Sequence, residues 1–337
     1  MTRRMLLVAA AMAMTMAGCG KQEQQQPQAG KDARVRIGVV AKSLGNGFFD
    51  AVHKGADEAG QALNAEIIFT GPTTPTAEGQ IEVINALIAQ RVDAIAVSAN
   101  DPDALVPTLQ RALQRGIKVI SYDSAIAQPG RVVHLAPSSD ELIGATCAQL
   151  AAELAPNATG KIAVVSATPT STNQNSWLAA MQKALPQYPR LQLAGVAYGD
   201  DVSDKSYREA VALIKQHPDL AVIVSLSSVG IVAAAKAVED QGLTGKVKVT
   251  GLGLPSELAG YVDKGVVPKF AIWNPIDLGY ATTQIAARLA RGESATAAQG
   301  LSMGRLGTVQ FDSQGVGAMG KPFIYDASNI AQFAKIF

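Results

Sequence analysis

Val35-Arg36-Ile37-Gly38-Val39-Val40-Ala41, followed at once by Lys42-Ser43-Leu44-Gly45-Asn46-Gly47-Phe48-Phe49-Asp50, is the stretch from which the fold can be read. A run of β-branched and small apolar residues predicts a buried strand, and Gly45-Asn46-Gly47 predicts a tight turn into an amphipathic helix over Phe49–Leu63. In an open parallel sheet, ligands bind outside the carboxyl ends of the strands. Lys42, Asn46, Phe48 and Phe49 therefore fall on a crevice, where polar donors beside paired aromatics suit a small polyhydroxylated ligand. Taken alone, a Phe-Phe pair is more often core packing, so the rest of the chain must decide.

The alternation continues outward from that stretch. Short apolar runs at Ala65–Thr70, Ala94–Ser98, Lys118–Tyr122 and Val132–Leu135 are separated by helical patterns at Ala77–Gln90 and Asp103–Arg115. Ser139–Leu154 reads as a helix, and a second series then begins. Its strands are expected at Lys161–Ser166, Leu191–Val196, Ala221–Ser225 and Lys246–Thr250, and its helices at Gln174–Leu185, Ser206–Gln216, Gly230–Asp240 and Ser256–Val262. One more strand at Lys269–Trp273 and a helix at Leu278–Arg291 precede a tail, Leu306–Phe337, of weaker periodicity. Repetition of βαβ units predicts an α/β protein with parallel sheets covered on both faces, in two similar halves.

The chain has 337 residues, of which 48% are hydrophobic and 17% charged, enough for a sizeable core and for two domains. Its 29 Lys and Arg nearly balance 28 Asp and Glu, so no field draws in nucleic acid or an anionic surface, and the expected partner is neutral or another protein. Residues 1–18 have the form of a secretory signal: Arg3 and Arg4, the apolar Met5–Met16, then small residues. That apolar run is short of the ~20 residues needed to span a membrane. Met16-Ala17-Gly18-Cys19 resembles a lipobox, which predicts acylation of Cys19 and a flexible tether over residues 19–32. Cys147 then has no disulfide partner and reads as a small buried apolar side chain.

Motifs for chemistry are missing. Gly315-Val316-Gly317-Ala318-Met319-Gly320 matches a dinucleotide fingerprint in letters, but too little chain follows it for a βαβ unit. No phosphate-binding loop, nucleophile elbow or zinc helix is present, and His53, His134 and His217 are scattered. Neither a cofactor nor a metal is expected. Asp200-Asp201-Val202-Ser203-Asp204 lacks a calcium-loop pattern and reads as a solvated turn capping a helix near Ser206. What recurs is polar residues at strand ends. They are Lys42 and Asn46, Asn100 and Asp101, and Asp123 and Ser124 in the first half. Thr170–Asn175, including Asn173 and Gln174, then Ser227 and Ser228, and Asn274 with Asp277 follow in the second. Two such edges facing each other would line a cleft with donors and acceptors for hydroxyls.

With those residues in view, the chain from Val35 onward resembles the bacterial periplasmic sugar-binding proteins of the ribose-binding type, which feed ABC transporters. Asn46-Gly47-Phe48-Phe49 matches that family's sugar-contacting Asn and Phe pair, and Ser121-Tyr122-Asp123-Ser124 its sugar-binding Asp. Ser124, Gly253 and Ser227 stand where ribose binders carry Arg, Asp and Asn, which points away from ribose. Lys42–Phe49, Thr172-Asn173-Gln174-Asn175, Thr250–Pro255 and Ala271-Ile272-Trp273-Asn274-Pro275 are more similar to the rhamnose-transporter binding proteins. The related autoinducer-2 receptors share Lys42, Asp123 and Gln174, but have Asp, Pro and Ala at Asn173, Leu226 and Ser228.

This resemblance implies the type I periplasmic binding protein fold: two Rossmann-like lobes joined by three crossing strands, near Pro137–Ser139, Asn274–Pro275 and Met303–Leu306. The lobes would be residues 33–138 with about 275–304, and 139–274 with about 305–337. It implies a monomeric binding protein and not an enzyme. Such a protein is held at the membrane outside the cytoplasm, carries L-rhamnose or autoinducer-2, and delivers it to a permease by closing on the ligand. Trp177 and Trp273 fall beside expected cleft positions. A repressor of the same fold would need a helix-turn-helix where the signal segment stands.

Overall fold

The computed structural model describes residues 34–295 and 300–337. In the first half, β1 (Arg36–Val40), α1 (Gly47–Leu63), β2 (Glu66–Thr70), α2 (Ala77–Ala89), β3 (Ala94–Val97), α3 (Val106–Gln114), β4 (Lys118–Tyr122) and β5 (Val133–Ala136) alternate as expected. The second comprises α4 (Asp140–Leu154), β6 (Gly160–Ser166), α5 (Thr172–Ala184), β7 (Leu191–Tyr198), α6 (Ser203–Gln216), β8 (Leu220–Ser225), α7 (Ser228–Asp240), β9 (Lys248–Gly251), α8 (Pro255–Asp263) and β10 (Lys269–Ile272). The chain then forms α9 (Pro275–Ala290), β11 (Leu301–Ser302), β12 (Thr308–Val309), β13 (Val316–Ala318), β14 (Phe323–Asp326) and α10 (Ile330–Phe333).

Two parallel sheets result. The first runs β13-β5-β4-β3-β1-β2 and the second β7-β6-β8-β9. Leu252 extends β9 by a parallel bridge to Ala271 in β10, which pairs antiparallel with β14. The central strands β1, β3, β4 and β8 are buried almost throughout, which is why they read as unbroken apolar runs without alternation. Gly251 (φ +125°) ends β9 against the Ser225 carbonyl, where a β-carbon would collide.

The chain passes from the first sheet to the second after β5 and returns between β10 and α9. Although α9 follows the second half in sequence, it packs on α1, β3 and β4. Close approach of α1 and α9 depends on Gly55 and Gly279, since a β-carbon at either would strike the backbone of the other helix. The tail departs from the sequence expectation. Val316-Gly317-Ala318 pairs in parallel with His134-Leu135-Ala136, so the chain remains on the first sheet well past Met303–Leu306 and reaches the second only at β14. A three-residue edge strand without apolar periodicity leaves no sequence signal; its partner β5 supplies the register. The signal, the tether and Cys19 lie outside the described residues. Cys147 is fully buried, and burial pushes its thiol up to about 12. No helix among the described residues is long and apolar enough to cross a membrane.

Candidate functional site

Between the carboxyl ends of the two sheets lies a small cavity of about 40 Å³, lined from both halves. On the first-half side, β1 runs out into Lys42 and the turn that starts α1. Asn46 caps that helix, its Oδ1 accepting from the Phe48 amide at 3.0 Å. Capping thereby fixes where Phe48 and Phe49 emerge. The two rings meet edge to face at 5.2 Å, Phe48 meets Trp273 at 6.1 Å, and Trp273 meets Trp177 at 5.4 Å. Four aromatic side chains thus form a continuous apolar wall across both halves.

Lys42 is only 2% exposed, so its ammonium is largely desolvated. It donates to Asn173 Oδ1 at 3.1 Å. A buried neutral residue holds the loop in place. Gln80 Nε2 donates to the carbonyls of Ala41 (3.0 Å) and Ser98 (2.7 Å), while its Oε1 accepts from the Asn100 amide at 2.8 Å. Asn100 Nδ2 in turn donates to the Lys42 carbonyl at 2.9 Å. Asp123 sits in the left-handed region (φ +57°) just past β4, a backbone state costing of order 1–3 kcal/mol that tends to occur at functional sites. Its Oδ2 accepts from Ser98 Oγ at 2.8 Å and its Oδ1 from Asn173 Nδ2 at 3.1 Å. Burial pushes the Asp123 carboxyl above the usual carboxylate range; the Lys42 ammonium and the two hydrogen bonds oppose that push, and nearby Asp201 adds to it.

The second-half side is built on helix amino ends. Asn173 and Gln174 occupy the first turn of α5, where Gln174 Oε1 accepts from Ser166 Oγ at 2.9 Å and the Ala167 amide at 2.6 Å. Ser227 caps α7, accepting from the Gly230 amide at 3.1 Å, and donates to Asp201 Oδ1. Ser228, Leu226, Leu252 and Ile272 complete the lining. Thr170 Oγ1 and Thr172 Oγ1 donate across to the carbonyls of Asn100 (3.2 Å) and Ala125 (3.3 Å), so the halves are closed on each other.

The cavity brings together Lys42, Asn46, Phe48, Phe49, Asp123, Asn173, Gln174, Ser227 and Ser228. Three residues expected there do not line it. Asn100 lies one layer behind, its side chain spent on the Lys42 and Thr76 carbonyls. Asn274 caps α9, accepting from the Ile276 amide at 2.9 Å, and Asp277 accepts from Asn274 Nδ2 and Arg305 Nη1. Both were placed by sequence adjacency to β10, but α9 leaves along the first half and carries them away from the cavity. Lining residues that sequence reasoning did not assign to the site are the apolar Leu226, Leu252 and Ile272, together with Trp177, Trp273 and Asp201. The indoles neighbour expected cleft positions in the sequence, whereas Asp201 reads there as part of a solvated turn. Among the described residues no group of three or more His, Cys, Asp or Glu could hold a metal.

Desolvated hydrogen-bonding groups facing an aromatic wall, held between two parallel sheets, suit binding rather than bond breaking. Residues 37–294 match the family described as periplasmic binding protein domain. The chain belongs to that family. As a periplasmic binding protein it superposes on an ABC transporter solute-binding protein from Clostridium phytofermentans, solved with bound L-rhamnose. The TM-score is 0.86 at 35% identity, over 90% of this chain and 99% of that one. It is 27% identical to the D-ribose/D-allose-binding protein of Pseudomonas aeruginosa over 64% of its own length and 70% of the relative's. It also shares its fold with LsrB from Clostridium saccharobutylicum, in complex with AI-2, at a TM-score of 0.84, 22% identity, and coverage of 89% of this chain and 99% of that chain. The first two of these relatives are named as binding proteins, and the chain is likewise not an enzyme.

Proposed function

We propose that this periplasmic binding protein captures L-rhamnose in the interlobe cavity and delivers it to the permease of an ABC sugar importer, acting as a monomer. The observation carrying this reading is the pairing of Lys42 and Asp123, both buried and cross-linked by Asn173, with the Phe48–Trp273–Trp177 wall. Buried charged groups make the stronger, charge-assisted hydrogen bonds to hydroxyls. The aromatic faces accept the apolar side of a sugar ring and a 6-deoxy methyl group. The solved relative with bound L-rhamnose supports this choice among neutral sugars. Ligand contacting both halves favours the closed form, the shape a permease would engage.

Calorimetry of the mature chain with L-rhamnose, D-ribose and autoinducer-2 tests this reading. Saturable heat with L-rhamnose at the lowest concentration is expected; a response to autoinducer-2 alone would move the assignment to a signal receptor. The same proposal includes an acyl anchor on Cys19. Cys19→Ser is expected to release the protein from the membrane fraction with ligand binding intact; unchanged membrane association would refute the anchor.

A further inference from the structure

The turn joining β7 to α6 does not serve as a solvated cap. Asp200 and Asp201 are consecutive non-glycine residues in the left-handed region, with φ of +56° and +53°, a backbone state that persists only where its surroundings enforce it. Here the enforcement is visible. The Gly199 and Asp200 amides donate to the carbonyls of Ser166 and Ala167, each at 2.8 Å, and the Val202 amide to Gly199 at 2.9 Å. The double left-handed step sends the two carboxylates to different places. Asp200 accepts from Lys205 Nζ at 2.6 Å and lines a groove beside β7. Asp201 turns into the ligand cavity. Ser227 Oγ is spent within the protein, accepting from the Gly230 amide while donating to Asp201 Oδ1. Asp201 Oδ2 has no protein donor among the described residues.

The geometry points to Asp201 as a ligand-binding carboxylate: the second half's counterpart to Asp123, oriented by Ser227 and accepting a hydrogen bond from a sugar hydroxyl. This deepens the sugar-binding reading above and rests on it. Carboxylate oxygens accept hydrogen bonds, so the Asp201 oxygen left without a protein donor calls for a donor from the ligand. Lys42 supplies one cation against two carboxylates, and its ammonium already donates to Asn173. A neutral polyol offers hydroxyl protons to both sides. An aldonate or sugar phosphate would bring a further negative charge into a desolvated space where like charges repel strongly. Asp201 thus sets specificity for neutral polyols over their oxidised or phosphorylated forms.

The test compares Asp201→Asn, which keeps a side chain tolerant of the left-handed backbone, with Asp200→Asn. L-rhamnose and L-rhamnonate are the calorimetric probes, and the carboxyl titration of Asp123 is followed by NMR without ligand. Asp201→Asn is expected to weaken L-rhamnose about tenfold to a hundredfold and to lower the Asp123 titration point, since a neighbouring negative charge is removed. Asp200→Asn should change neither, and the parent should not bind L-rhamnonate. Equal affinity losses in both variants, an unchanged Asp123 titration, or parent binding of L-rhamnonate as tight as of L-rhamnose would overturn the inference. If the parent binds no neutral sugar, the function proposed above fails. A lowered Asp123 titration in Asp201→Asn would in that case still uphold the facing carboxylates.

Discussion

The two walls of the cavity differ in how they are held. First-half polar side chains are fixed from behind: Gln80 and Asn100 pin the Lys42 loop, and Ser98 secures Asp123. On the opposite wall, Asn173 directs both ends of its amide across the gap, Oδ1 toward Lys42 and Nδ2 toward Asp123. The first wall is preorganised by its own half; the second is held likewise at Gln174 and Ser227, but its Asn173, besides accepting from the Gln174 amide at 2.8 Å, completes its hydrogen bonds by reaching over. The charge is divided just as unequally. Buried ionisable groups Lys42, Asp123 and His134 lie in the first half, while the second contributes mainly amides, hydroxyls and indoles, with Asp201 its one lining carboxylate. Acid should therefore act through the first half, and ligand through the bonds Asn173 makes.

The largest expected effect comes from His134, buried in β5 with Nδ1 against Ser121 Oγ at 2.9 Å. Burial, with help from Arg131, lowers its value from 6.5 to about 3. The unfolded chain then binds the extra proton first, so this contribution to stability is complete above about 6.5 and disappears as pH falls toward about 3. Across that window the loss is about 1.4 kcal/mol per pH unit. Denaturant unfolding from pH 7 downward should show that slope, and a His134→Gln chain should show it flattened. An unchanged slope would remove His134 as the acid-sensitive point.

Asp123 is next in size. Truncation to Ala should weaken sugar binding by ~1.5–3 kcal/mol, roughly tenfold to over a hundredfold, measurable by calorimetry. Its carboxyl is raised in the folded state, so it favours stability only when protonated and that contribution is lost as pH rises through the folded value. Asp123→Asn should accordingly raise the thermal midpoint at neutral pH while lowering affinity, a trade of stability for function. A midpoint lower than the parent's would mean that Lys42 depends on this charge more than burial penalises it.

The smallest expected effect is spectroscopic. Trp273 and Trp177 both line the cavity, so ligand entry should shift intrinsic fluorescence saturably, and Trp273→Phe should abolish most of the change. Neutral ligand binding should also be nearly independent of salt, because screening acts on exposed charges more than on buried ones. A steep salt dependence would reveal an anionic ligand.

The strand-helix alternation and most of the first-half wall were legible because they rest on local physics: Val39 and Val40 bury on both faces, and Asn46 caps its own helix. Helix starts such as Pro275 and Ser228 were placed too late, since capping residues and prolines resemble loop letters. Gln80 carries no sequence mark at all; one glutamine on an apolar helix face becomes a clamp only when β1 and β3 present carbonyls to it.

By itself the sequence determined the parallel α/β halves, the crevice at the end of β1, and the roster of polar strand ends, because periodicity of 3.6 or 2, turn chemistry and charge balance are properties of short segments. Tertiary structure alone decided that α9 packs on the first half and so takes Asn274 and Asp277 away from the cavity, that β13 returns to the first sheet, and that Asp201 faces the cavity while Asp200 faces out. Each depends on which distant group supplies the partner: the Arg305 side chain for Asp277, the β5 backbone for β13 and the Ser227 hydroxyl for Asp201. Contacts across such sequence distances leave no periodic trace in the segments that make them.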